Sequence, residues 1–156
     1  MAIGWLNVQS LMNKTEEVNA IIADRRLDVL ASTETWHSSV DDLRLRLATL
    51  VDYAVVDTPR SSGHSGGVAV FFRRQMQCSQ IPLPPLRTFE AICVRLTTAS
   101  GPIILLNIYR PSTVALLASF FNELSSVLEV LVVFSCPVVV SGVLNIHVEN
   151  PANDSA

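Results

Sequence analysis

The chain has 156 residues, 49% of them apolar, and 11 Lys and Arg against 14 Asp and Glu give a formal net charge of −3. That length suffices for one domain with a real core, and a mean hydropathy of +0.40 excludes a disordered chain. The acidic balance argues against gripping nucleic acid through a basic stripe, because Arg73-Arg74 is only a pair, although a site that holds phosphate through a metal ion needs less protein charge. Along the chain, Ile3 to Val8 is short and apolar-rich and predicts a first strand. A helix follows, with Asn13 as a suitable cap, Glu16 three residues on, and Val18, Ile21 and Ile22 on one face. Asp28 to Thr33 predicts a buried strand ending at Glu34, so the chain opens as β-α-β. From Val40 to Leu50 two patterns compete: Leu43, Leu47 and Leu50 suit a helix, whereas Leu43, Leu45 and Leu47 suit a strand.

Tyr53 to Val56 predicts a short strand, and Arg60 to Gly67 a loop rich in Ser and Gly. Three further strands are predicted at Gly67 to Phe72, Ala91 to Leu96 and Ile103 to Tyr109. Pro82 to Pro85 separates the first two, since proline has no place in a central strand. A second helix is expected from Ser112 or Thr113, both good caps after Pro111. Leu116, Leu117, Phe120, Leu124, Val127, Leu128 and Leu131 would share its apolar face. Val138 to Leu144 predicts a last strand. Residues 1–150 read as one domain and 151–156 as a polar tail. Consecutive strands without helices between them exclude a simple doubly wound sheet and favour two packed sheets with outer helices.

Cys78, Cys93 and Cys136 are odd in number and far apart, so neither a disulfide framework nor a zinc site is expected, and a reducing compartment is. No apolar stretch follows a basic start, so no secretory leader is expected. The membrane candidate Val114 to Val140 contains Asn122, Glu123, Glu129 and Pro137 and is rejected as a span.

Four polar spots stand at the ends of apolar strands: Asn7, Glu34, Tyr109-Arg110-Pro111, and Asn145 in Gly142-Val143-Leu144-Asn145. Residues so placed commonly line one rim of a sheet. Each also has a plain structural reading. Asn7 and Asn145 suit turns, Glu34 a surface carboxylate, and Tyr109 the edge of a core.

Taken in order, the blocks NVQSL, DVLASTETW, SGGVAVFFR, LLNIYRPS and PVVVSGVLNIHVENP, with Lys14 and a helix after the first, resemble the endonuclease domain of non-LTR (LINE-type) retrotransposons. That domain belongs to the endonuclease/exonuclease/phosphatase superfamily, and the resemblance runs from Asn7 to Pro151. It implies an α/β (α+β) fold of two packed mixed β-sheets flanked by helices, a four-layer α/β/β/α sandwich. It also implies Mg²⁺- or Mn²⁺-dependent hydrolysis of a phosphodiester, the nicking of DNA, and a nuclear role. By motif, Glu34 would hold the metal with Asn7 beside it, Tyr109 would sit against the scissile phosphate, and Asn145 would position phosphate and water. A hard carboxylate suits Mg²⁺, and neutral donors suit charge growing on phosphoryl oxygens.

Two departures imply impaired catalysis. The family's glycine-aspartate-phenylalanine-asparagine block stands here with Val143 in place of the aspartate, and valine can neither take a proton nor bind a metal. The family's later serine-aspartate-histidine motif has no counterpart before Ala156, so the fold is expected to be truncated at its C-terminus. His147 is no substitute, because the family carries a histidine there as well. An incomplete sandwich would leave an open sheet edge prone to self-association.

Three alternatives remain. A degenerate, non-catalytic remnant or an interaction module fits the departures. A phosphoesterase of the same superfamily acting on a substrate other than nucleic acid fits the blocks. Gly63-His64-Ser65-Gly66-Gly67 matches a serine nucleophile elbow, but that motif needs a strand before it and a helix after it, and here a strand follows.

Overall fold

The structure is a computed structural model that describes residues 1–39, 42–60, 63, 65–113 and 115–146. The expectations for Val40, His64, His147 and the tail from Pro151 lie outside these residues. Strand β1 (Ile3–Asn7) leads through helix α1 (Thr15–Asp24) to β2 (Val29–Thr33), which pairs with β1 in parallel. Then come α2 (Leu43–Ala48), β3 (Tyr53–Thr58) and β4 (Val68–Arg73), and the first sheet has the order β1-β2-β4-β3. The second sheet, β5-β6-β7-β8, is built from β5 (Gln77–Gln80), β6 (Glu90–Thr98), β7 (Gly101–Tyr109) and β8 (Val138–Val143), with α3 (Ala118–Leu131) inserted before β8. Each sheet is mixed, with one parallel pair at its end: β1 with β2, and β7 with β8.

Side-chain alternation sorts the apolar residues into three cores. Leu30 and Phe71 face outward to Val18 and Ile22 of α1 and Leu45 of α2. Val29, Ala31 and Val70 face inward to Ile92, Val94 and Leu105 of the other sheet. Cys93, Ile104 and Leu106 face outward again, to Phe120, Val127 and Leu131 of α3. The layers are therefore helix, sheet, sheet, helix, as the sequence leads one to expect. One amide crosses the inner core: Asn107 donates from Nδ2 to Ser32 O at 2.8 Å and accepts from Ser141 Oγ at 3.1 Å.

Several local expectations need correction. α1 starts at Thr15 with Lys14 at its cap and no side-chain cap bond, so Asn13 does not cap it. The chain leaving β1 first follows the loop after β2, with Ser10 N donating to Glu34 O and Leu11 N to Thr35 O, and this carries the helix start past Asn13. α3 starts at Ala118 rather than near Ser112, and Leu116, Leu117 and Leu128 are exposed while Phe120, Val127 and Leu131 are buried. The ambiguous segment is a helix, capped by Asp42 Oδ1 accepting from Arg44 N at 2.9 Å. Its buried residues are Leu45 and Ala48, with Leu43 and Leu47 in solvent. β5 escapes the periodicity because Gln77, Ser79 and Gln80 are polar, only Cys78 packs against the inner core, and the strand is held by the ladder on β6.

Candidate active site at one rim of the sandwich

The C-terminal ends of β1, β2, β7 and β8 and the N-terminal ends of β4 and β6 meet at one rim, and hydrogen bonds join them in series. Asn7 Nδ2 donates to Glu34 Oε1 at 2.9 Å. Thr35 N and Trp36 N donate to Gly67 O and Gly66 O, tying the loop after β2 to the turn before β4. Gly67 N donates to Glu90 Oε2 at 2.6 Å, and Glu90 stands opposite Tyr109 across the β6–β7 pair. Ser65 hydrogen-bonds the Tyr109 phenol. Arg110 N donates to Val143 O, and Asn145 Nδ2 donates to Arg110 O at 2.6 Å.

Backbone conformation marks the same rim. Seven described residues other than glycine have positive φ, and five of them (Gln9, Ser10, Glu34, Trp36 and Asn145) follow β1, β2 or β8 here. Residues in the left-handed region cost energy and persist where their surroundings over-determine them, a pattern common at functional sites. Gly142 is required as glycine, since its φ is +127° and a Cβ would collide with the Ile108 carbonyl oxygen. Gly67, at φ +83°, leaves no room for a Cβ between Thr35 Oγ1 and His37 Nδ1.

The four sequence-predicted residues are placed unequally. Asn7 and Glu34 are in contact and half-buried. Tyr109 is buried, its ring packed in the inner core. Burial raises the pKa of its phenol, and the charges of Glu34 and Glu90 raise it further against the bond to Ser65, so Tyr109 is a neutral donor at pH 7. Asn145 turns its amide nitrogen to the backbone of Arg110. Arg110 in turn reaches Leu144 O and Asn145 O and lies over the Phe120 ring at 5.5 Å, clamping the end of β8 onto α3. Val143, in register with Tyr109, packs half-buried against the inner core.

Asn7 Oδ1 is buried and has no hydrogen-bond partner among the described residues. An orphaned oxygen beside a carboxylate suits a hard cation that brings its own waters. Among the described residues no three His, Cys, Asp or Glu side chains gather to hold a metal. Oxygen donors from Glu34 and Asn7 therefore carry the fit alone.

Sequence reasoning missed Glu90, whose signal was a carboxylate opening an apolar strand. It also missed the buried pair beneath the rim, in which His37 Nε2 meets Asp57 Oδ2 at 2.9 Å. Burial lowers the pKa of His37 against the pull of Asp57, so the ring is neutral and bridges Asp57 to Thr35. Ser65 lies between a loop and the strand β4, without the following helix that a nucleophile elbow requires. The three cysteines are free. No helix among the described residues is long and apolar enough to cross a membrane.

Residues 4–153 match the Endonuclease/Exonuclease/phosphatase family. No curated protein matches the chain by sequence. Among solved structures, it is similar to the endonuclease domain of TRAS1, a telomere-specific non-LTR retrotransposon, with a TM-score of 0.68 and 14% identity over 92% of this chain and 60% of that one. It is similar to the 3′ phosphatase NExo from Neisseria, bound to a product DNA hairpin, with a TM-score of 0.64 and 22% identity over 92% of this chain and 57% of that one. It is also similar to D. rerio TDP2 complexed with a single-strand DNA product, with a TM-score of 0.63 and 14% identity over 93% of this chain and 60% of that one. The chain thus spans less than two thirds of each of these structures. At such identities the likeness concerns the fold, two mixed four-stranded sheets flanked by helices.

Proposed function

The chain belongs to the Endonuclease/Exonuclease/phosphatase family, and we propose that its rim binds a DNA phosphodiester with the help of Mg²⁺ or Mn²⁺, as a LINE-type endonuclease does, but hydrolyses it poorly. The observation that carries this is the Asn7–Glu34 contact, which leaves the buried Asn7 Oδ1 without a partner beside a carboxylate. DNA in the solved structures of NExo and TDP2 supports nucleic acid as the ligand class.

Glu34 and Asn7 would hold the metal, which when bound neutralises charge on the phosphate and lowers the pKa of water. Tyr109, kept protonated, supplies a hydrogen bond to a phosphoryl oxygen. The Ser65–Tyr109 bond fixes the direction of the phenol, and Glu90 holds the glycine turn that carries Ser65. Val143 stands beside Tyr109, where an aspartate would orient or deprotonate the attacking water. Loss of a general base costs on the order of 10²-fold or more. A non-catalytic DNA-binding role is the second reading, and the apolar Val143 is what favours it. In either case the proposed place of action is the nucleus.

Manganese binding followed by electron paramagnetic resonance tests the metal reading without needing turnover. The free Mn²⁺ signal should fall on adding the chain and should be restored by Glu34→Ala. An unchanged signal with the unsubstituted chain would remove the metal from the proposal.

A further inference from the structure

Beside the rim, a cavity of about 590 Å³ opens between the loop after β3, the segment joining β5 to β6, and the turn after β7. Its volume lies within the range of pockets that enclose small organic ligands. The lining is mixed: Pro59, Ile81, Leu83, Leu86 and Pro111 supply apolar surface, and Thr58, Gln80 and Thr113 stand among them. Glu123 of α3 fixes one side, accepting from Arg87 N, Thr88 N and Thr88 Oγ1. That side of the cavity is therefore held in place by α3. Arg87, exposed, contributes a cation to its lining.

Position tells what would enter. Ser65 and Glu90 line the cavity and also belong to the rim, Ser65 through its bond to Tyr109 and Glu90 as the cross-strand partner of Tyr109. Pro111 follows Tyr109 by two residues. A ligand here is thus attached to, or adjacent to, whatever phosphate Tyr109 contacts. The proline and leucine side chains of the lining suit the face of a flat ring, and polar groups such as the hydroxyls of Thr58 and Thr113 suit its edge. In an intact duplex, base faces are stacked on one another and cannot enter a pocket.

We propose that this cavity takes the base of an unpaired nucleotide whose phosphate lies at the Tyr109 rim, so that the chain prefers single-stranded or locally opened DNA to intact duplex. The proposal rests on the phosphodiester reading given above. Because the named walls are aliphatic, the expected preference is about tenfold, toward the low end of what a base stacked on an aromatic side chain gains.

The test measures fluorescence anisotropy of one labelled sequence, as a single strand and as a duplex, in Ca²⁺. The single strand should bind about tenfold more tightly. Leu83→Asp should abolish that preference, as should Thr113→Trp, which fills the cavity from an exposed position, with circular dichroism reporting that each variant is folded. Glu34→Ala should weaken both forms of DNA alike and leave their ratio intact. Equal affinities for the two forms, or a preference that survives both cavity variants, overturn the cavity proposal even where Glu34→Ala still weakens binding. A preference sensitive to the cavity but indifferent to Glu34 and to Ca²⁺ retains the cavity and overturns the metal reading. Absence of DNA binding in any form overturns both.

Discussion

Asn7 and Glu34 lie 27 residues apart in sequence and 2.9 Å apart in space, because β1 and β2 run parallel and end level with one another, Asn7 opposite Thr33. Neither residue was distinctive alone, and what the sequence could not display is the orphaned Oδ1 that their contact leaves behind. Tyr109 shows how the site sets a protonation state. Burial is the main cause of its raised pKa, and the carboxylates of Glu34 and Glu90 add to it. Removing one negative charge should therefore ease ionisation. Glu34→Gln is expected to lower the Tyr109 pKa, which ultraviolet titration can follow because the chain has only two tyrosines and Tyr53→Phe isolates the signal. A Tyr109 titration that does not move would mean that Glu34 does not sense the phenol.

At the scale of the elements, the strands were legible because buried strands declare themselves as short apolar runs: β2 and β4 are buried almost throughout. Helix starts were not. α1 and α3 have no side-chain cap, so Asn13 does not cap the first and neither Ser112 nor Thr113 caps the second. β5 was illegible because a single partly buried residue, Cys78, among three exposed polar ones makes no apolar run, and the strand is held by its ladder on β6. Asn107 gave a signal that went unread, a lone amide inside the apolar strand LLNIY. A buried amide must find partners, and this one joins the two sheets. Asn107→Ala leaves Ser32 O without its donor in the inner core and should cost about 2 kcal/mol. Urea denaturation measures this, and a loss well under 1 kcal/mol would show that the bridge adds little to the packing around it.

Across the whole molecule, the hydropathy has two sources. Three cores in four layers account for most of it, and exposed apolar strands account for the rest. Among the described residues β1 and β8 end their sheets and touch one another. Neither carries a charge or a proline, while Trp5 is 44% exposed and Val140 53%. The opposite edges are blunted, by Asp57 on β3 and by the short polar β5. Unprotected edges invite strand pairing between copies. Sedimentation velocity is expected to show association that grows with concentration and is reversed by Val140→Lys with Trp5→Lys. A monomer at every concentration would contradict this.

The proposed rim for phosphodiester chemistry has Val143 where the family resemblance places a water-activating carboxylate. The most direct measurement is Mg²⁺-dependent nicking of supercoiled plasmid by the chain, by Val143→Asp and by Glu34→Ala with Val143→Asp. The expected result is little or no nicking by the chain, a gain with Val143→Asp, and loss of that gain when Glu34 is also removed. Efficient nicking by the unsubstituted chain, or a Val143→Asp variant that is folded and no more active, would contradict the role assigned to Val143.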